Sequence, residues 1–136
     1  MNYLLYQSMG NEYNLSTEFH ERNKITNKSF LLNRGVLLIL TSNFLGTSYI
    51  VEKPVNTIGR NDSNNIVVKD PAISKEHCQI VIDEENRFFI EDLHSKNATY
   101  LNGKELKKKT EIFYGDKIII GETILRFYLE EKLERK

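Results

Sequence analysis

The chain of 136 residues has one cysteine, Cys78, so an internal disulfide is excluded. No Cys/His cluster has zinc-ligand spacing either, and the thiol is expected to be a small buried hydrophobe in a reducing setting, with no metal. Charge of one sign is equally lacking, because 19 Lys and Arg balance 19 Asp and Glu. The whole-molecule attraction that draws basic proteins to nucleic acid or anionic lipid is therefore missing, and only a local basic cluster is left to bind anions. The longest unbroken apolar run, Val36 to Leu40, falls far short of the roughly 18 to 20 residues that cross a bilayer. The opening Met1 to Tyr6 lacks the Lys or Arg of a secretory signal. These absences predict a cytoplasmic protein without a membrane partner.

What is present, 40% hydrophobic and 28% charged residues, fits one globular domain with one core. Residues 1–34 stand apart: rich in Asn, Ser and Thr, without clean alternation, they read as an N-terminal extension with at most a short helix over Ser16 to Arg22. From Gly35 the text changes to short β-branched and aromatic runs, which predict strands at Val36–Thr41, Ser48–Val51, Val55–Ile58, Ile66–Val68, Cys78–Asp83, Arg87–Asp92, Thr99–Leu101, Lys117–Ile120 and Thr123–Tyr128. Glu85-Asn86, Asn102-Gly103, Gly115-Asp116 and Gly121-Glu122 supply the residue types of tight reversals. No ten-residue segment in this region keeps an apolar period of 3.6, which argues against βαβ units. The expected fold is all-β, a sandwich of two mostly antiparallel sheets over residues 35–129, followed by a charged tail at 130–136. Leu129 to Lys136 read as a frayed helical turn or a linker.

In a sandwich the connections at one end lie together, and three of them carry polar text. They contain Thr57-Ile58-Gly59-Arg60, then Ser74-Lys75-Glu76-His77, then Asp92-Leu93-His94-Ser95-Lys96-Asn97-Ala98-Thr99 running on to Tyr100-Leu101-Asn102-Gly103. Taken together, in this order and spacing, the segments from about Val36 to Leu129 resemble the forkhead-associated (FHA) domain, a phosphothreonine-binding module. The residue chemistry agrees. Phosphothreonine brings roughly −1.5 to −2 charges and acceptor oxygens, so its receptor needs a forked cation, neutral donors and an orienting group. Arg60 is the fork, Ser74 the neutral donor, Lys75 and Lys96 rim charges, and Asn97 a donor and acceptor for peptide backbone.

The resemblance implies that Arg60 and Ser74 hold the phosphate, that Lys75 and Lys96 assist, and that Asn97 bonds the ligand's main chain. It implies that His77 braces the serine loop, while Gly59, Asn102 and Gly103 keep the loops in shape. Ala98 departs from the glycine usual in the family, and His94 is bulkier than the residue common there. If position 98 needs positive φ, alanine costs about 1 kcal/mol there. Ser74 beside Lys75 and His77 lacks the third orienting group and oxyanion motif of a hydrolase, and the spacing of a P-loop is absent. The lysine run Lys104, Lys107, Lys108 and Lys109 reads as a solvated strand edge, and Phe88, Phe89, Phe127 and Tyr128 as core.

The function expected is therefore non-catalytic recognition of phosphothreonine segments in Ser/Thr kinase signalling, without a cofactor. The competing expectation is a phosphate-independent interaction scaffold that uses a sheet face of the same fold. The extension is a further candidate ligand when phosphorylated, with Thr17 a better site than Thr26 because its tether has more slack.

Overall fold

The computed structural model describes residues 33–131. The expected helix at Ser16 to Arg22, Thr17 and Thr26, and the tail beyond 131 lie outside them. Arg34–Glu130 form one compact unit.

Among the described residues eleven strands follow one another: β1 (Asn33–Ile39), β2 (Ser48–Val51), β3 (Val55–Gly59), β4 (Ile66–Val67), β5 (Cys78–Ile82), β6 (Phe88–Asp92), β7 (Thr99–Leu101), β8 (Lys104–Glu105), β9 (Thr110–Ile112), β10 (Lys117–Ile120) and β11 (Thr123–Glu131). They make a six-stranded sheet, in the order β2-β1-β11-β10-β7-β8, and a five-stranded one, β4-β3-β5-β6-β9. Of the registers defined, β3 with β4 is parallel and the others are antiparallel. Arg34 bonds Glu130 at 2.8 Å and the Leu40 N–H bonds the Ile124 carbonyl at 2.8 Å, so β1 and β11 also run antiparallel.

Period-two alternation decides which face is buried. Leu37 and Ile39 on β1, Ile118 and Ile120 on β10, and Leu125 and Phe127 on β11 point inward from the larger sheet. Ile58, Ile80, Ile90 and Ile112 meet them from the smaller one. The Phe88 and Phe127 rings sit 5.2 Å apart at a tilt of 54° between the sheets, an offset contact that favours aromatic pairs. Cys78 is fully buried, and burial pushes its thiol up to about 12, so it is an inert core residue.

Several expectations need correction. β11 runs on through Leu129 to Glu131 where a helical turn or linker was expected, because Leu129 continues the inward alternation of Leu125 and Phe127 and packs on the core. β8 and β9 were not anticipated: β8 is two exposed polar residues, and of β9 only Ile112 is buried, so neither shows an apolar pattern. Phe89 and Tyr128 are not core. Phe89 lies on an outer face between Arg87 and Lys109, each 5.7 Å from its ring, and Tyr128 meets Tyr114 edge-on at 5.4 Å.

Candidate functional site

Arg60, Asn61, Pro71 to Glu76, Lys96 and Asn97 line one open depression of about 840 Å³ at the loop end of the sandwich. It therefore gathers all five of the expected binding residues: Arg60, Ser74, Lys75, Lys96 and Asn97. Gly59 and His77 lie beneath it. Asn102 and Gly103 stand apart from the depression, in the β7–β8 turn, where Asn102 bonds Asp116 and the Lys117 N–H. Their φ values of 51° and 87° suit the two-residue reversal expected of them.

Backbone contacts set the depression. β3 delivers Arg60, whose N–H donates to the Ser74 carbonyl at 3.0 Å, and the Asn61 N–H donates to Lys75 at 3.2 Å. A Cβ on Gly59 would come within 2.2 Å of the Lys75 carbonyl oxygen, so glycine alone lets the two chain segments touch. The half-buried Arg60 side chain donates its Nε to the Ile73 carbonyl at 2.9 Å. That bond fixes the plane of the guanidinium and leaves both terminal nitrogens for a ligand.

His77 is fully buried and joins two loops. Its Nδ1 accepts the Ser74 N–H at 3.0 Å, and its Nε2 lies 2.9 Å from the Ala98 carbonyl. An N–H must donate and a carbonyl must accept, so the ring carries its hydrogen on Nε2. The Ser74 hydroxyl oxygen accepts the Lys96 N–H at 2.9 Å, which leaves its own proton free to donate. Asn97 Nδ2 donates to the Ala72 carbonyl at 2.8 Å, which leaves its Oδ1 free as an acceptor. The Lys75 and Lys96 side chains are exposed at the rim.

Three supporting residues were missed in the sequence. Asn64, buried, donates Nδ2 to the carbonyls of Asn61 and Lys75 at 2.8 and 2.7 Å. Asp70, 3% exposed, accepts from the Ala72 and Glu122 N–H groups and the Thr123 hydroxyl, tying the serine loop to the β10–β11 turn. Asp92 accepts from the Ser95 N–H and hydroxyl and the Thr99 hydroxyl, folding the third loop on itself. The Asp-x-x-Ser spacing of Asp92 and Ser95 is the one signal in the text that points to such a loop. Burial raises the titration of both carboxyls. The Ala72, Thr123 and Glu122 donors of Asp70, and the Ser95 and Thr99 donors of Asp92, outweigh it and hold both below the ordinary 3.8.

Ala98 adopts φ 68° and His94 φ 59°, so the third loop is bounded by two left-handed residues without glycine. The condition for strain at position 98 is met. Among the described residues no three His, Cys, Asp or Glu side chains gather as metal ligands, and no helix is long and apolar enough to cross a membrane.

Residues 56–121 match the family model of the FHA domain. Over 82 residues the chain is 32% identical to the oxoglutarate dehydrogenase inhibitor of Corynebacterium efficiens, covering 60% of this chain and 56% of that one. To the glycogen accumulation regulator GarA of Mycobacterium tuberculosis it is 28% identical over 82 residues, covering 60% and 49%. The crystal structure of the FHA domain of a Chlamydia trachomatis protein superposes with a TM-score of 0.65 at 26% identity, over 70% of this chain and 96% of that one. The chain spans about half the length of these two curated relatives.

Two predictions follow from the loop chemistry. Ala98→Gly removes a left-handed alanine and, after allowing for the extra freedom of glycine in the unfolded chain, raises stability by about 0.5–1 kcal/mol. Urea denaturation checks it, and a lower midpoint would show that the turn is not strained. The depressed titrations of Asp70 and Asp92 stabilise the fold fully above 3.8, and this contribution is lost as pH falls from there through the lower native values. Asp70→Asn is accordingly less stable than the parent by about 1–3 kcal/mol at neutral pH, with the gap narrowing towards pH 3 in denaturant titrations.

Proposed function

We propose, for a chain whose residues 56–121 form an FHA domain, that the loop-end depression binds a phosphothreonine segment of a partner protein, coupling Ser/Thr kinase activity in the cytoplasm to that partner. The observation that carries this reading is the pair of pinned donors. Arg60 is held through Nε on the Ile73 carbonyl and Ser74 through the Lys96 N–H. Each keeps its outward donors unspent, so a phosphate meets a fork and a hydroxyl without first ordering them. Lys75 and Lys96 add charge, and Asn97 Oδ1 offers an acceptor to the ligand's backbone.

The same geometry speaks for binding and against catalysis. The ring nitrogen of His77 that faces Ser74 takes the backbone N–H rather than the hydroxyl, so His77 is not aimed as a general base at the Ser74 hydroxyl. The relatives named above as an inhibitor and a regulator support a regulatory output.

Binding is tested with a phosphothreonine peptide and its unphosphorylated twin. The phosphorylated form alone binds, and Arg60→Ala weakens it about 10- to 150-fold, the worth of a charge-assisted bond, with an unchanged circular dichroism spectrum. Arg60→Lys fails to restore full affinity because the fork is gone. Equal binding of the twins, or unchanged affinity in a folded Arg60→Ala, supports the phosphate-independent scaffold instead.

The extension is proposed as a second ligand of the same depression once Thr17 is phosphorylated. A tether supplies effective concentrations on the order of millimolar, enough to displace a micromolar partner. A chain phosphorylated at Thr17 then binds an external phosphothreonine peptide more weakly than a truncation starting near Gly35. Equal affinities would rule out self-inhibition.

A further inference from the structure

A sheet edge is a row of unpaired N–H and C=O groups, which proteins blunt with charge, proline or shortness. β8 is two charged residues, Lys104 and Glu105, β4 is two residues long, and β9 is three with Glu111 at its centre. Among the described residues β2 is the longest of the edge strands, and Ser48-Tyr49-Ile50-Val51 carries neither a charge nor a proline. Its ladder to β1 shows which groups are left over. The Ile39 N–H donates to the Thr47 carbonyl at 2.9 Å, and the register runs on with Leu38 opposite Ser48, Leu37 opposite Tyr49 and Val36 opposite Ile50. Antiparallel pairs alternate between bonded and unbonded, so Tyr49 and Val51 bond β1 while Ser48 and Ile50 turn their N–H and carbonyl groups outward. Among the described residues no strand pairs with β2 on that side.

The side chains at this edge are centred on the same residue. Ile50 is exposed on the outer face, beside Val36. The Leu40–Ile124 bond and the Arg34–Glu130 pair set Val36 next to Tyr128, which meets Tyr114 edge-on. An apolar row thus crosses the larger sheet from Tyr114 and stops at Ile50, where the backbone is open. Leu45 and Val55, also exposed, lie five residues before and after it. Such a pattern is self-complementary when the strand pairs antiparallel with a copy of itself. About a two-fold axis at Ile50, Ile50 meets Ile50, Ser48 stands opposite Glu52, and Leu45 lies towards Val55 of the second copy. A hydroxyl then faces each carboxylate, and like charges are not opposed. The chain's zero formal net charge lets two copies approach without net repulsion.

We infer that β2 is a self-association edge: it pairs antiparallel with β2 of a second copy about a two-fold axis at Ile50, joining the two larger sheets into one. Each Ile50 N–H donates to the Ile50 carbonyl of the other copy, and the apolar row continues across the junction. β2 starts at the loop end of the sandwich, where Leu40 bonds Ile124 beside the β10–β11 turn. Antiparallel pairing therefore points the two loop-end depressions towards opposite ends of the joined sheet.

Sedimentation equilibrium of the full chain shows the mass rising towards double as concentration goes from about 5 to about 500 µM. Ile50→Lys and Ile50→Asp each set like charges face to face on the axis and weaken self-association at least about tenfold, with an unchanged circular dichroism spectrum. An equimolar mixture of the two variants regains the dimer, because opposite charges then meet. Ile50→Cys links two copies through a disulfide, since bonded pairs hold their Cα atoms about 5.5 Å apart. Glu52→Cys stays unlinked over the same time, its copies being offset by about 14 Å along the strands. Cys78 is fully buried and does not compete. A full chain that stays monomeric throughout, as it would with another segment of the chain on this edge, overturns the proposal. So does a dimer that survives both charge variants, a mixture that stays monomeric, or equal linking through Glu52→Cys.

Discussion

One buried imidazole holds the loop end together. His77 accepts an N–H from the serine loop and donates to a carbonyl of the third loop, so a single ring sets the distance between Ser74 and Ala98. Its own backbone adds two more ties, the N–H to Ile58 at 2.8 Å and the carbonyl to the Leu93 N–H at 2.9 Å. A buried group with both ring nitrogens satisfied costs nothing in lost hydrogen bonds, whereas most replacements would leave an N–H and a carbonyl unpaired in the interior. The left-handed Ala98 is intelligible in this light. Its strained dihedral belongs to the loop path that presents its carbonyl to the ring.

Around that ring, main-chain groups do most of the positioning. The carbonyls of Ala72, Ile73, Ser74 and Lys75 each accept a hydrogen bond from a residue of another loop. The serine loop is thus a rack of acceptors. Arg60 and Asn97 hang on it by one side-chain nitrogen and keep their other polar atoms unspent, so Arg60 needs no carboxylate partner to be held in place. Two carboxylates, Asp70 and Asp92, are spent on loop amides and hydroxyls instead.

Much of this was legible in advance, for uneven reasons. Strands that alternate on a buried face, such as Ser48–Val51, Thr99–Leu101 and Lys117–Ile120, have the bounds their pattern predicts. β8 had no such pattern, since pairing there comes from the preceding turn and leaves both side chains in water. The polar loop residues were readable because a forked cation, a hydroxyl and an amide have few reasons to recur together at loop ends. The scaffolding under them was not. Asn64 and Asp70 act on residues 11 and 52 positions away, and a local reading of a polar loop does not distinguish a solvated Asn from one that bonds backbone across the fold. Position 98 was flagged by its resemblance, but only its backbone dihedral turns an unusual residue into a strained one.

The neighbouring antiparallel placement of β1 and β11 has a mechanical consequence. Arg34 and Glu130 adjoin near the outer ends of the two strands, so the chain arrives at and departs from the domain side by side. A pull on both flanking segments would load the rungs between these strands one after another, like a zip, rather than all at once in shear. The fold is therefore compliant under tension applied through its ends. The loops that line the depression lie past the last of those rungs, beyond Leu40 and Ile124, and would feel the load only after β1 had peeled away from β11.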